Sequence, residues 1–111
     1  MRSENAIKAM SALAQEHRLE VFRVLMKQGP AGLTAGDIAA LLEISPSSLS
    51  FHVNNLERAG ILQKRRDQRN IIYSINVSGI RELLLFLTED CCDGHPEICG
   101  GVGFAPEPLK S

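Results

Sequence analysis

Apolar positions recur at helical spacing through residues 3–60, change to an extended pattern, and then return to helical spacing. In residues 3–14, Ile7, Met10 and Leu13 fall on one stripe between small alanines, which predicts an amphipathic helix. Residues 16–28 repeat the pattern through Leu19, Phe22 and Met26, with Val21 and Leu25 beside them. "QGPAG" then breaks the chain, because glycine and proline do not continue a helix. Thr34 is suited to cap a short helix over 35–42 that carries Ile38, Leu41 and Leu42. "EISPS" is both a turn and a start signal, with Ser45 as N-cap and Pro46 in the first helical position. The helix it starts runs to about Ala59 and stops at Gly60.

Beyond Gly60 the period changes. "ILQKRRDQRNIIYSI" holds two β-compatible runs, 61–66 and 70–75, around the polar tip "RDQR", and predicts a β-hairpin. A last helix, over 78–90, carries Ile80, Leu83, Leu84 and Leu87, but also Leu85 and Phe86. A helix apolar nearly all round needs cover on two sides. One side is its own core, and a second subunit is the simplest cover for the other. Residues 100–111 read as a loose tail. Four helices, a hairpin and a helix give a mainly α, α+β chain. Two short helices joined by a turn and followed by a basic hairpin have the layout of a winged helix-turn-helix with a two-stranded wing.

The helix over 45–60 has an unusual outer surface. Leu49, Val53 and Leu56 make its core stripe, and Phe51 points about 200° away from Leu49 by the helical period. Ser47, Ser48, Phe51, Asn54 and Asn55 therefore populate the outer face, with Ser50 and His52 on its flanks. Short hydroxyl and amide groups suit base edges and phosphates, and an aromatic ring suits a thymine methyl. The same residues would also serve as plain polar surface. The hairpin favours the first reading, because Lys64, Arg65, Arg66 and Arg69 stand where they can reach phosphates or a minor groove.

Net charge is −1, which by itself argues against nucleic acid. Its distribution reverses that conclusion. Residues 1–80 hold ten Lys/Arg against seven Asp/Glu, or +3, while residues 81–111 hold two against six, or −4. From Arg58 to Arg69 there are five basic residues and one acid, and a local patch governs phosphate contact more than the net value does. At 111 residues the chain is expected to form one domain that gains from a partner subunit. "MRSENAIKAM" has no apolar signal-peptide core, and "LLLFL" is far too short to span a membrane, so a cytoplasmic protein with reduced thiols is expected.

These motifs resemble the ArsR/SmtB metal-responsive repressors over residues 5–90. "ISPSSLSFHVNNLERAGIL" is similar to the family's recognition helix, "RRDQRNIIYSI" to its wing, and "ALAQEHRLEVFRVL" to the helix that precedes them. The resemblance implies a homodimer joined through its first and last helices. It also implies that Ser47, Ser48, Ser50, Phe51 and His52 face double-stranded operator DNA and that Arg66 and Arg69 serve the wing. The chain departs from the family at Pro46, where Gln is frequent, at Phe51, where His is frequent, and at Gln68, which replaces the wing glycine. Two metal sites of the family are missing. Thr34 and Gly36 of "LTAGDIA" stand where arsenic repressors keep two thiolates, and "SGIRELLLFLTED" lacks the histidines of the zinc-sensing branch.

All three cysteines, Cys91, Cys92 and Cys99, sit in one polar stretch, "EDCCDGHPEICGG". Thiolates prefer soft centres, and arsenic(III), with its lone pair, favours a pyramidal three-sulfur site. Antimony(III) fits the same site. Gly94 and Pro96 would turn the chain so that Cys99 returns to the adjacent pair. The stretch looks like the C-terminal cysteine trio of some arsenical repressors. Zinc or cadmium would want a fourth ligand, for which His95 is at hand, but the C-x₂-C spacing is missing. A redox sensor would join Cys99 to Cys91 or Cys92 as a disulfide. Incidental thiols would be less expected beside Glu89, Asp90, Asp93 and Glu97, since cysteine favours apolar burial. A thiol enzyme or metal carrier that ignores DNA would need an activated cysteine, and neither a C-x-x-C pair nor a neighbouring base provides one. The expected organisation is a DNA-binding and dimerisation domain over 1–92, followed by an inducer-binding loop and flexible tail over 93–111. No organic cofactor and no membrane contact are expected, and arsenic(III) is the expected inducer.

Overall fold

Four of the five α-helices among the described residues begin where a side chain accepts an otherwise unpaired backbone N–H, and the first begins without such a cap. The computed structural model describes residues 1–88. Helix α1 spans Ser3–Leu13 and α2 spans Glu16–Gln28, where the Gln15 side chain accepts from the Arg18 amide. A short 3₁₀ turn, Gly29–Ala31, leads to strand β1, Leu33–Thr34. Thr34 also caps α3, Ala35–Leu42, its hydroxyl accepting from the Asp37 amide at 3.1 Å. Glu43 turns the chain with a left-handed φ of 56°. Ser45 then caps α4, Pro46–Arg58, accepting from the Ser48 amide at 3.1 Å. Helix α4 closes with the paired bonds of a Schellman end. The Ile61 amide reaches the Leu56 carbonyl, the Gly60 amide reaches that of Glu57, and Gly60 takes φ 84°.

Strands β2, Leu62–Asp67, and β3, Asn70–Ile75, form the hairpin, with Leu62 opposite Ile75 and Asp67 opposite Asn70. Gln68 adopts the left-handed conformation, φ 60°, that a glycine would otherwise supply. Helix α5, Val77–Thr88, follows directly. The predicted two-stranded wing is one strand short of the observed sheet. β1 pairs antiparallel with the outer side of β3, giving the order β1-β3-β2. Two residues are too few to show an alternating pattern, so neither β1 nor the 3₁₀ turn was readable from periodicity.

The core gathers Val21 and Leu25 from α2, Ile38 from α3, and Leu49, Val53 and Leu56 from α4. Ile61, Leu62 and Tyr73 from the sheet region complete it. The α4 stripe is therefore the predicted one. Helix α5 contributes Leu83, while Leu85 and Leu87 remain exposed, as do Ile7 and Met10 on α1. The expected second apolar side of the last helix is thus uncovered in the single chain. Among the described residues, no helix is long and apolar enough to cross a membrane. The boundary expected after residue 92 lies outside the described residues.

Candidate nucleic-acid interface

Three buried residues on one stripe of α4 leave its opposite face to solvent. Ser47, Ser48, Ser50, Phe51 and Asn54 are exposed, and Phe51 keeps 61% of its surface open. Exposing a phenylalanine ring in the middle of a helix forgoes burial worth roughly 2 kcal/mol, so covering it would be favourable. Ser45 and Ser47 hydroxyls lie 3.3 Å apart, so the first turn presents a joined pair of hydroxyls. Asn55 is half-buried, and its amide donates to the Phe51 carbonyl at 2.9 Å.

His52 departs from the expectation that it faces outward. It is 8% exposed and turned against the start of α2. Its Nδ1 lies 3.4 Å from Nη1 of Arg18, and the His17 ring sits 5.4 Å away, centroid to centroid. Arg18 in turn donates from Nε to the Ala12 carbonyl at 2.6 Å. On the helical wheel His52 lies about 60° from the core line, so the docking of α2 on that flank decides its side. A guanidinium only donates, so Nδ1 must accept and the ring must be neutral there. Burial, then the charges of Arg18 and His17, hold the His52 pKa below its ordinary 6.5.

The sign of that shift gives a testable pH dependence. The folded state binds fewer protons at His52 than the unfolded state, so its contribution to stability is present above about pH 6.5 and is lost as pH falls toward the folded-state pKa. Urea midpoints of the wild type should drop between about pH 7.5 and about pH 5.5. His52→Asn keeps an acceptor near the Nδ1 position and cannot protonate, so its midpoints should fall less over that range. Equal slopes would show that His52 does not titrate between the two states.

The wing carries its cations on two sides. Lys64 and Arg66 share the face of Leu62, opposite Tyr73 and Ile71 across the hairpin. Arg65 points the other way and donates to the Ala31 carbonyl at 2.9 Å, fastening β2 to the 3₁₀ turn. Arg65, counted among the phosphate-reaching residues, is therefore engaged in holding the sheet together. Arg69 stands at the hairpin tip. Lys64, Arg66 and Arg69 are exposed, and among the described residues the one ion pair is Arg2–Glu4. Their charges are thus not neutralised within the described chain. Arg58, which enters the sequence reading only as part of the basic run, lies about 180° from Leu49 and is exposed on the line of Phe51 and Ser47. The helical period alone was enough to find it.

Among the described residues, no group of three or more His, Cys, Asp or Glu is arranged to hold a metal ion. Cys91, Cys92 and Cys99 lie outside the described residues.

The geometry has known counterparts. A helix-turn-helix domain model matches residues 13–65. The transcriptional repressor SdpR of Bacillus subtilis is 35% identical over 78 residues, 70% of this chain and 80% of that protein. A putative arsenical resistance operon repressor, ArsR, of Halobacterium salinarum is 30% identical over 76 residues, 68% of this chain and 58% of that protein. The chain belongs to the ArsR/SmtB family of winged-helix transcriptional regulators. The solved structure of HlyU from Vibrio cholerae superposes with a TM-score of 0.64 at 27% identity, over 81% of this chain and 95% of that one. In ArsR/SmtB terms, α4 is the recognition helix and the β2–β3 hairpin is the wing. The matched relatives are transcriptional regulators, a DNA-binding family and not enzymes.

Proposed function

We propose that this protein is an arsenic(III)-responsive repressor that binds operator DNA as a homodimer and leaves it when arsenite occupies Cys91, Cys92 and Cys99. The observation that carries the DNA half is the outer face of α4, where Phe51 and the serines stand exposed between un-neutralised cations. Ser47, Ser48, Ser50 and Phe51 read the major groove, and Arg66 and Arg69 hold the flanking backbone. His52 supports the helix from within by accepting from Arg18. Ile7 and Met10 on α1, with Leu85 and Leu87 on α5, form the dimer face, since burial is the natural end of such exposed apolar groups. A two-fold dimer then meets two half-sites related by the same axis.

The inducer half is supported by where the thiols are and where they are not. Thr34 is occupied in capping α3, and Gly36 has no side chain. The described length of α5 holds no His or Cys. Cys91 follows the described end of α5 at Thr88 by three residues. At its other end α5 is tied to the recognition helix through Asn76. The Asn76 amide donates to the Gly60 carbonyl at 3.1 Å, its Oδ1 accepts from the Gly79 amide at 3.2 Å, and its own N–H reaches the Ile61 carbonyl. Arsenite drawing the thiols together would shift α5 and, through Asn76, the pose of α4. The homologous arsenical resistance repressor is consistent with this inducer.

The test follows fluorescence anisotropy of the wild-type dimer on a duplex selected from a random-sequence library. Selective, salt-dependent binding is expected, with release by arsenite and antimonite. Phe51→Ala should weaken binding to the selected duplex about tenfold, roughly 1.4 kcal/mol, and weaken scrambled duplex less. Release by zinc or cadmium alone would point to a four-ligand site with His95, and release by peroxide alone to a disulfide. No selective duplex binding would end the repressor reading.

A further inference from the structure

Recognition helix α4 has two flanks, and the wing guards one of them. Glu57 lies about 80° from Leu49 on the wheel and near Tyr73 of β3, whose phenol pKa is pushed up by burial first and by the Glu57 charge second. That flank therefore faces the sheet. The other flank, with Asn55 and Ala59 about 240° and 280° from Leu49, borders a cleft of about 270 Å³ between α1, α2 and α4. Lys8, Ser11 and Ala12 of α1, Arg18 of α2, and Asn55, Arg58 and Ala59 of α4 line it. Three of these seven residues are cations and none is an acid. Arg18 is held by the Ala12 carbonyl and His52. Lys8 and Arg58 are exposed and make no ion pair with any described residue. Glu82 lines an adjoining cleft that shares Lys8 and Arg58, yet it pairs with neither of them.

Gathering three positive charges on one rim without an acid costs stability through mutual repulsion, which an arriving anion relieves. The rim is also continuous with the reading face, because Arg58 and Asn55 belong to both. Lys8 lies about 100° round α1 from Ile7 and about 160° from Met10, so a dimer built on those two residues leaves Lys8 in solvent. A helix lying in the major groove has a phosphate strand on each side, and the wing reaches only one.

We infer that Lys8 and Arg58, with the Arg18 charge behind them and the Ser11 hydroxyl between, form a phosphate clamp that grips the DNA backbone on the flank of the recognition helix away from the wing. This rests on the DNA-binding reading above and adds a second electrostatic contact line to it. The clamp is blind to sequence. It sets how far α4 turns into the groove, so it contributes to affinity and salt dependence and not to base preference.

The experiment measures binding of the full-length protein to the selected duplex and to a scrambled one over a range of salt. It compares the wild type, Lys8→Ala/Arg58→Ala, Lys8→Arg and Phe51→Ala. The double variant should lose about tenfold in affinity for both duplexes at moderate salt. Its slope of log K against log salt should be shallower by roughly one to two. Lys8→Arg should keep the wild-type slope, and Phe51→Ala should change preference with little change in slope. Both clamp residues are exposed and mutually repelling, so urea midpoints should equal or slightly exceed those of the wild type. An unchanged slope in the double variant, with wild-type binding intact, would overturn the clamp and leave the repressor reading standing. Competition by millimolar inorganic phosphate that disappears in the double variant without a change in slope would also overturn it, in favour of a small-anion site. A wild type that binds neither duplex would overturn both.

Discussion

Gly32→Ala should destabilise the protein by more than about 3 kcal/mol, lowering the melting temperature by over ~12 °C. Two independent effects add there. Gly32 has φ 71° and ψ −173°, a region open in practice to glycine alone, and an alanine held there costs about 1–3 kcal/mol. A Cβ would also meet the Tyr73 carbonyl oxygen, with Cγ2 of Ile72 at 2.9 Å and the Tyr73 carbonyl carbon at 3.1 Å. The oxygen is backbone of the central strand and cannot swing away as a side-chain tip would. The chain passes this close because Gly32 is where it leaves the 3₁₀ turn to lay β1 along β3, with Leu33 opposite Tyr73. Gly29→Ala is the control. Gly29 has φ 78° and ψ −160°, yet nothing lies within 4 Å of its Cβ position. It should show the conformational cost without the clash, so its melting temperature should fall between those of the wild type and Gly32→Ala. Equal losses in the two variants would mean that the β1–β3 approach yields without resistance.

Serine at positions 91, 92 and 99 together should leave operator affinity near wild type and abolish release by arsenite. A wild-type response of about 100-fold corresponds to a coupling free energy of about 2.7 kcal/mol, within the ordinary range for linked sites. A serine hydroxyl is a hard donor that stays protonated at neutral pH, so it cannot replace a thiolate toward a soft metalloid centre. The triple variant should therefore respond less than about twofold, roughly 0.4 kcal/mol. Single variants separate the ligands. Cys91→Ser and Cys92→Ser should each remove most of the response. A comparable loss in Cys99→Ser would show a three-sulfur site, and an intact response there would show that two suffice. Retained arsenite release in the triple variant would overturn the cysteine mechanism, while lost DNA binding in the absence of arsenite would assign these residues to folding.

Helix starts were the most readable features of the chain, because a cap is a local event. Thr34 before α3 and Ser45–Pro46 before α4 name the helix starts whatever packs later, and the structure has both caps in place. The core stripe of Leu49, Val53 and Leu56 was equally legible, since period and apolar type coincide. The flanks of the same helix were not. The sequence offers His52 and Asn54 as comparable polar residues, and they end on opposite sides. α2 brings Arg18 and His17 against His52, whereas Asn54 stays in solvent. Arg65 and Arg66 are adjacent and chemically alike, yet Arg65 reaches the Ala31 carbonyl across the sheet and Arg66 stays free of any ion pair among the described residues.

By itself, then, the sequence determined the order and starts of the α-helices and the hairpin, the winged helix-turn-helix plan, the exposed face of the recognition helix and the isolation of all three thiols in one stretch after the last helix. All of these follow from local backbone chemistry and periodicity, which a single segment carries within itself. Only the tertiary structure decided that β1 adds a third strand and that His52 turns inward. It also decided that Arg65 holds the wing, and that Lys8 meets Arg58 across a cleft free of acids. Each of those depends on residues tens of positions apart, whose juxtaposition is set by how helices and sheet pack and by no property of either segment alone.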